Sequence, residues 1–144
     1  MNGLSLVTNG ELFAVDVTAV ERVVRNMAFT PVPAAYDAVA GIANLKGGIV
    51  TLLSLSELLG CGRSSQAVHA VIFKLFVNGS DQMGLLIESP GDLIEVDESE
   101  IVPPHVSEEG EDEPLISGLA EVEGKLYRII DINSILMRFT NTRE

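Results

Sequence analysis

Cys61, His69, His105 and the carboxylates Asp16 and Glu88 are the side chains whose types could do chemistry in this chain. A structural zinc site draws its ligands from closely spaced Cys and His, and neither histidine has a neighbouring His or Cys, so a metal would have to gather distant carboxylates. Each histidine reads as a surface or edge residue. Cys61 is the single cysteine; it forms no internal disulfide and has no CxxC partner, which agrees with a reducing compartment, and it reads as a small turn residue rather than a nucleophile. Asp16 in FAVDV and Glu88 in GLLIES sit in similar contexts and offer themselves as a carboxylate pair for acid and base work. Their equivalence argues instead for matching strand-edge positions. No GxxxxGK[ST] loop, strand-to-helix GxGxxG or GxSxG elbow occurs, so nucleotide binding and acyl transfer lose their usual signatures. Neither a cofactor nor a metal is implied.

Charge narrows the partners. The net charge is −12, but residues 1 to 64 carry five acids and four bases while residues 65 to 144 carry sixteen acids and five bases. Most of the excess lies between Glu95 and Glu113, a stretch without Lys or Arg that lacks the alternating oxygen ligands and central Gly of a calcium loop, and so reads as solvated loop. Such a surface repels phosphate backbones and anionic lipid, which disfavours nucleic acid and membrane as partners. No apolar run approaches the roughly 20 residues that cross a bilayer, and no basic, apolar leader follows Met1. The expected compartment is the cytoplasm.

The elements that must position any site are announced by an internal repeat. Gly41 to Leu59, GIANLKGGIVTLLSLSELL, returns 77 positions later as Gly118 to Leu136, GLAEVEGKLYRIIDINSIL, with ten of nineteen pairs apolar on apolar and two Gly on Gly. Keeping Gly41 with Gly118 and Gly47 with Gly124 predicts the same turns joining the same buried strands. At 144 residues each copy has about 70, near the lower limit for an independent core, so the halves should lean on each other.

The rest of the chain reads as β. Leu12 to Val17, Val20 to Val24, Val68 to Val77 and Met83 to Ile87 have strand composition, and Asn78 to Asp81 has hairpin-loop chemistry. A Gly47-Gly48 turn is expected between two strands. Pro31 to Pro33 breaks regular structure and Ala34 to Val39 suits one helical turn. Ser54 to Leu59 reads as a short helix capped by Ser54 or Ser56 and ended by Gly60; in the second copy Asp131 or Asn133 caps Ser134 to Met137. Many short strands at this spacing imply two small β-barrels, with GCGRSSQ (Gly60 to Gln66) as the crossing. Buried strands without a catalytic constellation are the mark of a binding module, not an enzyme.

From about Leu6 to Leu136 the chain resembles the CheW family of chemotaxis coupling proteins. The resemblance rests on FAVDVTAVERVV, TPVPAAYDAVAGIANLKGGIV, LLSLSELLG, GLLIESPGDLIEV and GLAEVEGKLYRIIDINSILM taken together. It implies an all-β fold of two intertwined, SH3-like, five-stranded barrels with short helices: residues 1–144 as a single domain, 9–64 as the first barrel, and 65–144 with an N-terminal strand from 1–8 as the second. It also implies a non-enzymatic adaptor that joins the regulatory domain of the histidine kinase CheA to the cytoplasmic tip of chemoreceptors, without nucleic acid and without inserting in the membrane. A scaffold for a different chemosensory kinase circuit, governing surface motility or another output, is the alternative.

Carried over by position, the resemblance places the receptor groove at Val20, Gly41, Asn44, Lys46 and Gly47, with Ala70, Val71 and Gly84. It places a kinase surface on the first barrel at Arg22, Val23 and Ala40. Valines among these can equally be core and the glycines backbone devices, whereas a long cation beside two glycines has no packing reason to be there. The chain departs from the family pattern where NLRG becomes Asn44-Leu45-Lys46-Gly47, since an ammonium cannot reproduce a guanidinium fork. Thr51 replaces a proline, Ser54 an aspartate before the short helix, and Glu88 the aspartate of a VD pair.

Overall fold

The computed structural model describes residues 1–32, 38–77, 81–103 and 115–142. Its strands are β1 (Asn2–Thr8), β2 (Glu11–Asp16), β3 (Val20–Val24), β4 (Thr30–Pro31), β5 (Val39–Leu45), β6 (Gly48–Ser54), β7 (His69–Val77), β8 (Asp81–Ile87), β9 (Ser89–Glu95), β10 (Ile116–Val122) and β11 (Lys125–Ile130). Two helices, α1 (Leu55–Leu58) and α2 (Ile132–Thr142), follow β6 and β11. The repeat explains both. Ser54 and Asp131, 77 positions apart, cap them alike: Ser54 Oγ accepts from the Glu57 N–H at 3.2 Å and Asp131 Oδ1 from the Ser134 N–H at 3.1 Å. The second helix starts two residues earlier than expected and runs beyond Met137.

Strand order is β10-β11-β2-β1-β9 in one sheet and β3-β7-β8-β6-β5-β4 in the other, the sixth strand of the latter being only two residues long. All-β architecture in two interlocked subdomains is therefore as expected, but the boundaries are not. β2 lies with β10 and β11, and β7 and β8 lie with β3 to β6, so neither 9–64 nor 65–144 is a unit. Each half lends its leading hairpin to the other. The exchange leaves one parallel seam per sheet, β6 on β8 and β11 on β2, among otherwise antiparallel pairs.

The exchange follows from burial on both faces of the central strands. Along β7, Val71 and Phe73 point to one core while Ala70 and Ile72 point to another. The first of these lies between the sheets, where Leu4, Leu6, Phe13 and Val15 meet Leu53, Phe73, Met83, Leu85 and the helix residues Leu55, Ile132 and Ile135. Two smaller cores lie on the far faces: Ala40, Val50, Leu52, Ile72 and Leu86 in one sheet, Ala14, Ala120, Tyr127 and Ile129 in the other. Burying each large apolar side chain stabilises the fold by about 1.5–3 kcal/mol. The largest core draws on both sheets, so the halves do lean on each other.

Two details correct the reading of the glycines. Positive φ at Lys46 (53°) and Gly47 (83°), with Leu45 paired to Gly48, sets the hairpin turn one residue before the expected Gly-Gly pair. Gly48 begins β6 instead. Gly41 and Gly118 are not turn residues: they sit at bulges, between Val39 and Gly41 and between Ile116 and Gly118. At Gly41 a Cβ would run into the Thr30 carbonyl of β4, and at Gly118 into Ile101 beside the Val102 carbonyl. Both glycines thus admit an outer segment against the hairpin, Pro31 opposite Gly41 in one half and Val102 bridged to Leu119 in the other.

Candidate partner-binding surface

The β5–β6 hairpin carries the exposed part of the expected groove. Asn44, Lys46 and Gly47 are all exposed at its end, and Asn44 Oδ1 accepts the Gly47 N–H at 3.1 Å. Asn44 therefore fixes the turn that presents Lys46. Beside them is a cavity of about 360 Å³ lined by Ala28, Phe29, Thr30, Ile42, Ala43, Asn44 and Ile49. Ile42 and Ile49 are 39% and 38% exposed, although the repeat pattern assigns both to buried strands. Phe29 carries no signal in the sequence, because its neighbours show no periodic pattern; its place beside Gly41 and its packing on the core of Ala40 and Leu52 bring it to the hairpin.

The remaining groove residues lie deeper. Ala70 and Val71 are fully buried, and Gly84 is buried between Ile72 and Leu52. Gly41 is buried under β4, and Val20 is half-buried, paired with Phe73. Register joins several of them in one row across the sheet: Pro31 faces Gly41, Gly41 faces Leu52, Leu52 faces Gly84, Gly84 faces Ile72, and Ile72 faces Arg22. Two residues without side chains alternate with two large ones. That leaves room for Ile72 and Leu52 to meet, so these glycines shape the sheet that carries the hairpin.

At the far end of the row lies β3, an edge strand of its sheet. An edge strand presents unpaired backbone groups to a partner. Arg22 and Val23 are half-buried here, Val23 packing on the intersheet core, while Ala40, 1% exposed, is interior to the sheet. Arg22 is held in an unusual way. Its Nε is buried without a hydrogen bond, and its near anion, the Glu21 carboxylate, is 3.9 Å away. Glu21 is itself engaged by Gln82 Nε2 at 2.7 Å, which also donates to the Phe73 carbonyl at 3.1 Å. Gln82 thereby satisfies a carbonyl next to the irregular stretch of the β7–β8 ladder, between Ile72 and Phe76, and braces the bulge at Glu21. Nothing in the sequence points to Gln82, since the bracing depends on two bulges.

The candidate chemistry does not assemble. Asp16 Oδ1 accepts from the Thr18 N–H at 3.0 Å and its hydroxyl at 2.8 Å, and Asp16 lines a second cavity, about 410 Å³, with Met1, Asp131 and Asn133. Glu88 is not in that lining; its Oε2 accepts from Ser64 Oγ at 2.7 Å. Nor are the two carboxylates equivalent. Phe13 stands opposite Arg128 and Met83 opposite Thr51, and Arg128 is Thr51 plus 77, so the counterpart of Asp16 is Leu86. His69 Nδ1 accepts the Asn26 N–H at 3.0 Å, a structural bond, and His105 lies outside the described residues. Cys61 is exposed in a turn between Gly60 and Gly62, both at positive φ, as a turn residue should be. Among the described residues no group of three or more His, Cys, Asp and Glu could hold a metal, and no helix is long and apolar enough to cross a membrane.

Comparison with known proteins follows the same lines. A family model described as the CheW-like domain matches residues 2–139. The chain is similar to the chemotaxis protein CheW of Thermotoga maritima, 26% identical over 137 residues that cover 95% of this chain and 88% of the relative. It is also similar to the CheW of Rhizobium meliloti, 27% identical over 124 residues, 85% of this chain and 79% of the relative. Among solved structures, the scaffolding protein TtCheW of Thermoanaerobacter tengcongensis superposes with a TM-score of 0.76 at 26% identity, covering 90% of this chain and 88% of that one.

Proposed function

The chain belongs to the CheW-like domain family and is a chemotaxis coupling adaptor, and from that premise we propose how its surface is divided. The β5–β6 hairpin, led by Lys46 and flanked by Ile42 and Ile49, receives the cytoplasmic tip of a chemoreceptor. The β3 edge, with Arg22 and Val23, receives the regulatory domain of the kinase CheA. The protein works in the cytoplasm by recognition alone and turns nothing over.

The observation that carries the receptor side is Lys46 itself. A non-glycine residue at φ 53° is strained, typically by about 1–2 kcal/mol for a left-handed L-residue, and Lys46 is exposed, so packing does not hold it there. Apolar neighbours supply contact area and the ammonium supplies direction. Gly41, Ala70, Val71, Gly84 and Ala40, being interior, serve this surface by shaping the sheet. On the kinase side, an edge strand with one face on the core offers backbone pairing to a like β-fold. Pairwise affinity need be only modest where many copies act together. The relatives' names, all chemotaxis proteins, favour this circuit over a different output.

The test is a pair of titrations of the full chain, one with a soluble chemoreceptor signalling fragment and one with the CheA regulatory domain, both from the same organism. Lys46→Ala is expected to weaken the first and spare the second; Val23→Asp should do the reverse. Lys46→Ala leaving receptor binding untouched would remove the hairpin assignment.

A further inference from the structure

The two repeat hairpins agree in backbone and differ in charge. Lys46 and Gly47 turn at φ 53° and 83°, Glu123 and Gly124 at 52° and 83°. Burial runs in parallel: Ala43 and Ala120 are buried, Asn44 and Glu121 exposed, Leu45 and Val122 half-buried. Ile49 and its counterpart Leu126 are 38% and 57% exposed beside the two turns. Each hairpin also has the same bulge, at Gly41 or Gly118, against an outer segment. The turn, the bulge and one exposed apolar residue beside the turn have thus been built twice, although Ile42 is exposed where its counterpart Leu119 is half-buried.

What separates the copies is Asn44 and Lys46 against Glu121 and Glu123. Residues 41 to 50 carry Lys46 alone, net +1, whereas residues 118 to 127 carry Glu121, Glu123 and Lys125, net −1. Glu121 lies on β10, an edge strand where an exposed charge also guards against unwanted pairing, whereas Glu123, in the turn, has no such account. Glu is depleted in strands, and at φ 52° Glu123 bears the same strain as Lys46. Both are exposed, so no core contact retains them.

We propose that Glu121 and Glu123 are specificity determinants that close the second hairpin to the partner the first one receives, so that one chain takes up one receptor tip and not two. The inference rests on the reading of the Lys46 hairpin as the receptor surface. Acceptor groups of the receptor that meet the Lys46 ammonium on the first hairpin would meet carboxylates on the second. Like charge across a contact suppresses docking even where the shape fits.

The experiment transplants the first hairpin's polar residues to the second, as Glu121→Asn with Glu123→Lys in the full chain, and counts bound receptor signalling fragment by calorimetry and sedimentation. The wild type is expected to bind one fragment and the double variant two; adding Lys46→Glu to the double variant should return the count to one. Circular dichroism and the thermal midpoint report whether each variant folds; should the double variant misfold, Glu123→Lys alone is used and should give the second site at lower affinity. A count of one in a folded transplant, with Lys46→Glu still abolishing binding to the wild type, overturns the inference and leaves the receptor reading standing. Lys46→Glu without effect on the wild type overturns the receptor reading, and the inference with it.

Discussion

Gly84 faces Leu52 across the parallel seam between β8 and β6, and a Cβ at Gly84 would lie 2.9 Å from both Leu52 Cδ2 and Ile72 Cδ1. Both neighbours are fully buried, and the Val71 backbone carbonyl, which cannot rotate aside, would lie 3.3 Å away. Gly84→Val therefore overpacks the core by an amount typically worth about 1–3 kcal/mol. Urea unfolding should show a lower midpoint with an unchanged slope. Equal stability of wild type and Gly84→Val would mean the row of alternating small and large residues is not close-packed.

Gly41→Ala is expected to dislodge β4, because the new methyl would occupy the place of the Thr30 carbonyl. The loss should appear as faster amide exchange at Ile42, whose partner across the edge is Thr30, and as weaker receptor binding through the displaced wall of the cavity. Exchange at Thr51, within the β5–β6 pair, should change little. Uniform acceleration of both would point to global destabilisation instead of a local one.

Lys46→Asn separates stability from function in opposite directions. Asn tolerates positive φ better than Lys, and the β1–β2 hairpin already turns on Asn9-Gly10 at φ 57° and 75°. Relief of strain should stabilise the fold by a few tenths to about 1 kcal/mol, while receptor affinity falls. A variant both less stable and fully competent would contradict the view that Lys46 is kept for contact.

Gln82→Leu removes the amide that joins Glu21 to the Phe73 carbonyl. Losing that hydrogen bond costs about 0.5–1.5 kcal/mol, and Glu21 loses its brace beside Arg22. Kinase-domain binding should weaken more than receptor binding, with Gln82→Glu a second probe that keeps the size but sets a carboxylate against Glu21. Equal losses on both titrations would indicate that Gln82 acts only on stability.

Much of this was legible beforehand, for reasons that can be located. The repeat fixes hairpin register, so Gly41 with Gly118 and Ser54 with Asp131 turn out to be true equivalents. Asp16 and Glu88 do not, because short apolar contexts such as FAVD and LLIE can be slid by two residues without penalty, and only strand pairing sets the offset. The exchange of hairpins is hidden for a related reason: most of β6 and β8 is buried on both faces, so neither strand shows the alternation that would record which sheet it joins. Ile42 and Ile49 read as interior from their apolarity alone, which carries no record of the open end of the hairpin where both are exposed. Gln82, Phe29 and the burial of Ala40, Ala70 and Val71 are properties of neighbours far away in sequence.

The exchange of hairpins also constrains how the molecule comes into being. A chain emerging from synthesis cannot finish its first sheet until β8 is out, at Ile87, and its earliest strands wait still longer for β10 and β11, which end at Ile130. The β3 edge and the β5–β6 hairpin belong to the same sheet, so a chain long enough to complete one of the two proposed surfaces carries the strands of the other. On the proposed division of surfaces, a truncated copy that keeps the receptor hairpin therefore keeps the kinase edge as well, and the two contacts are gained or lost together.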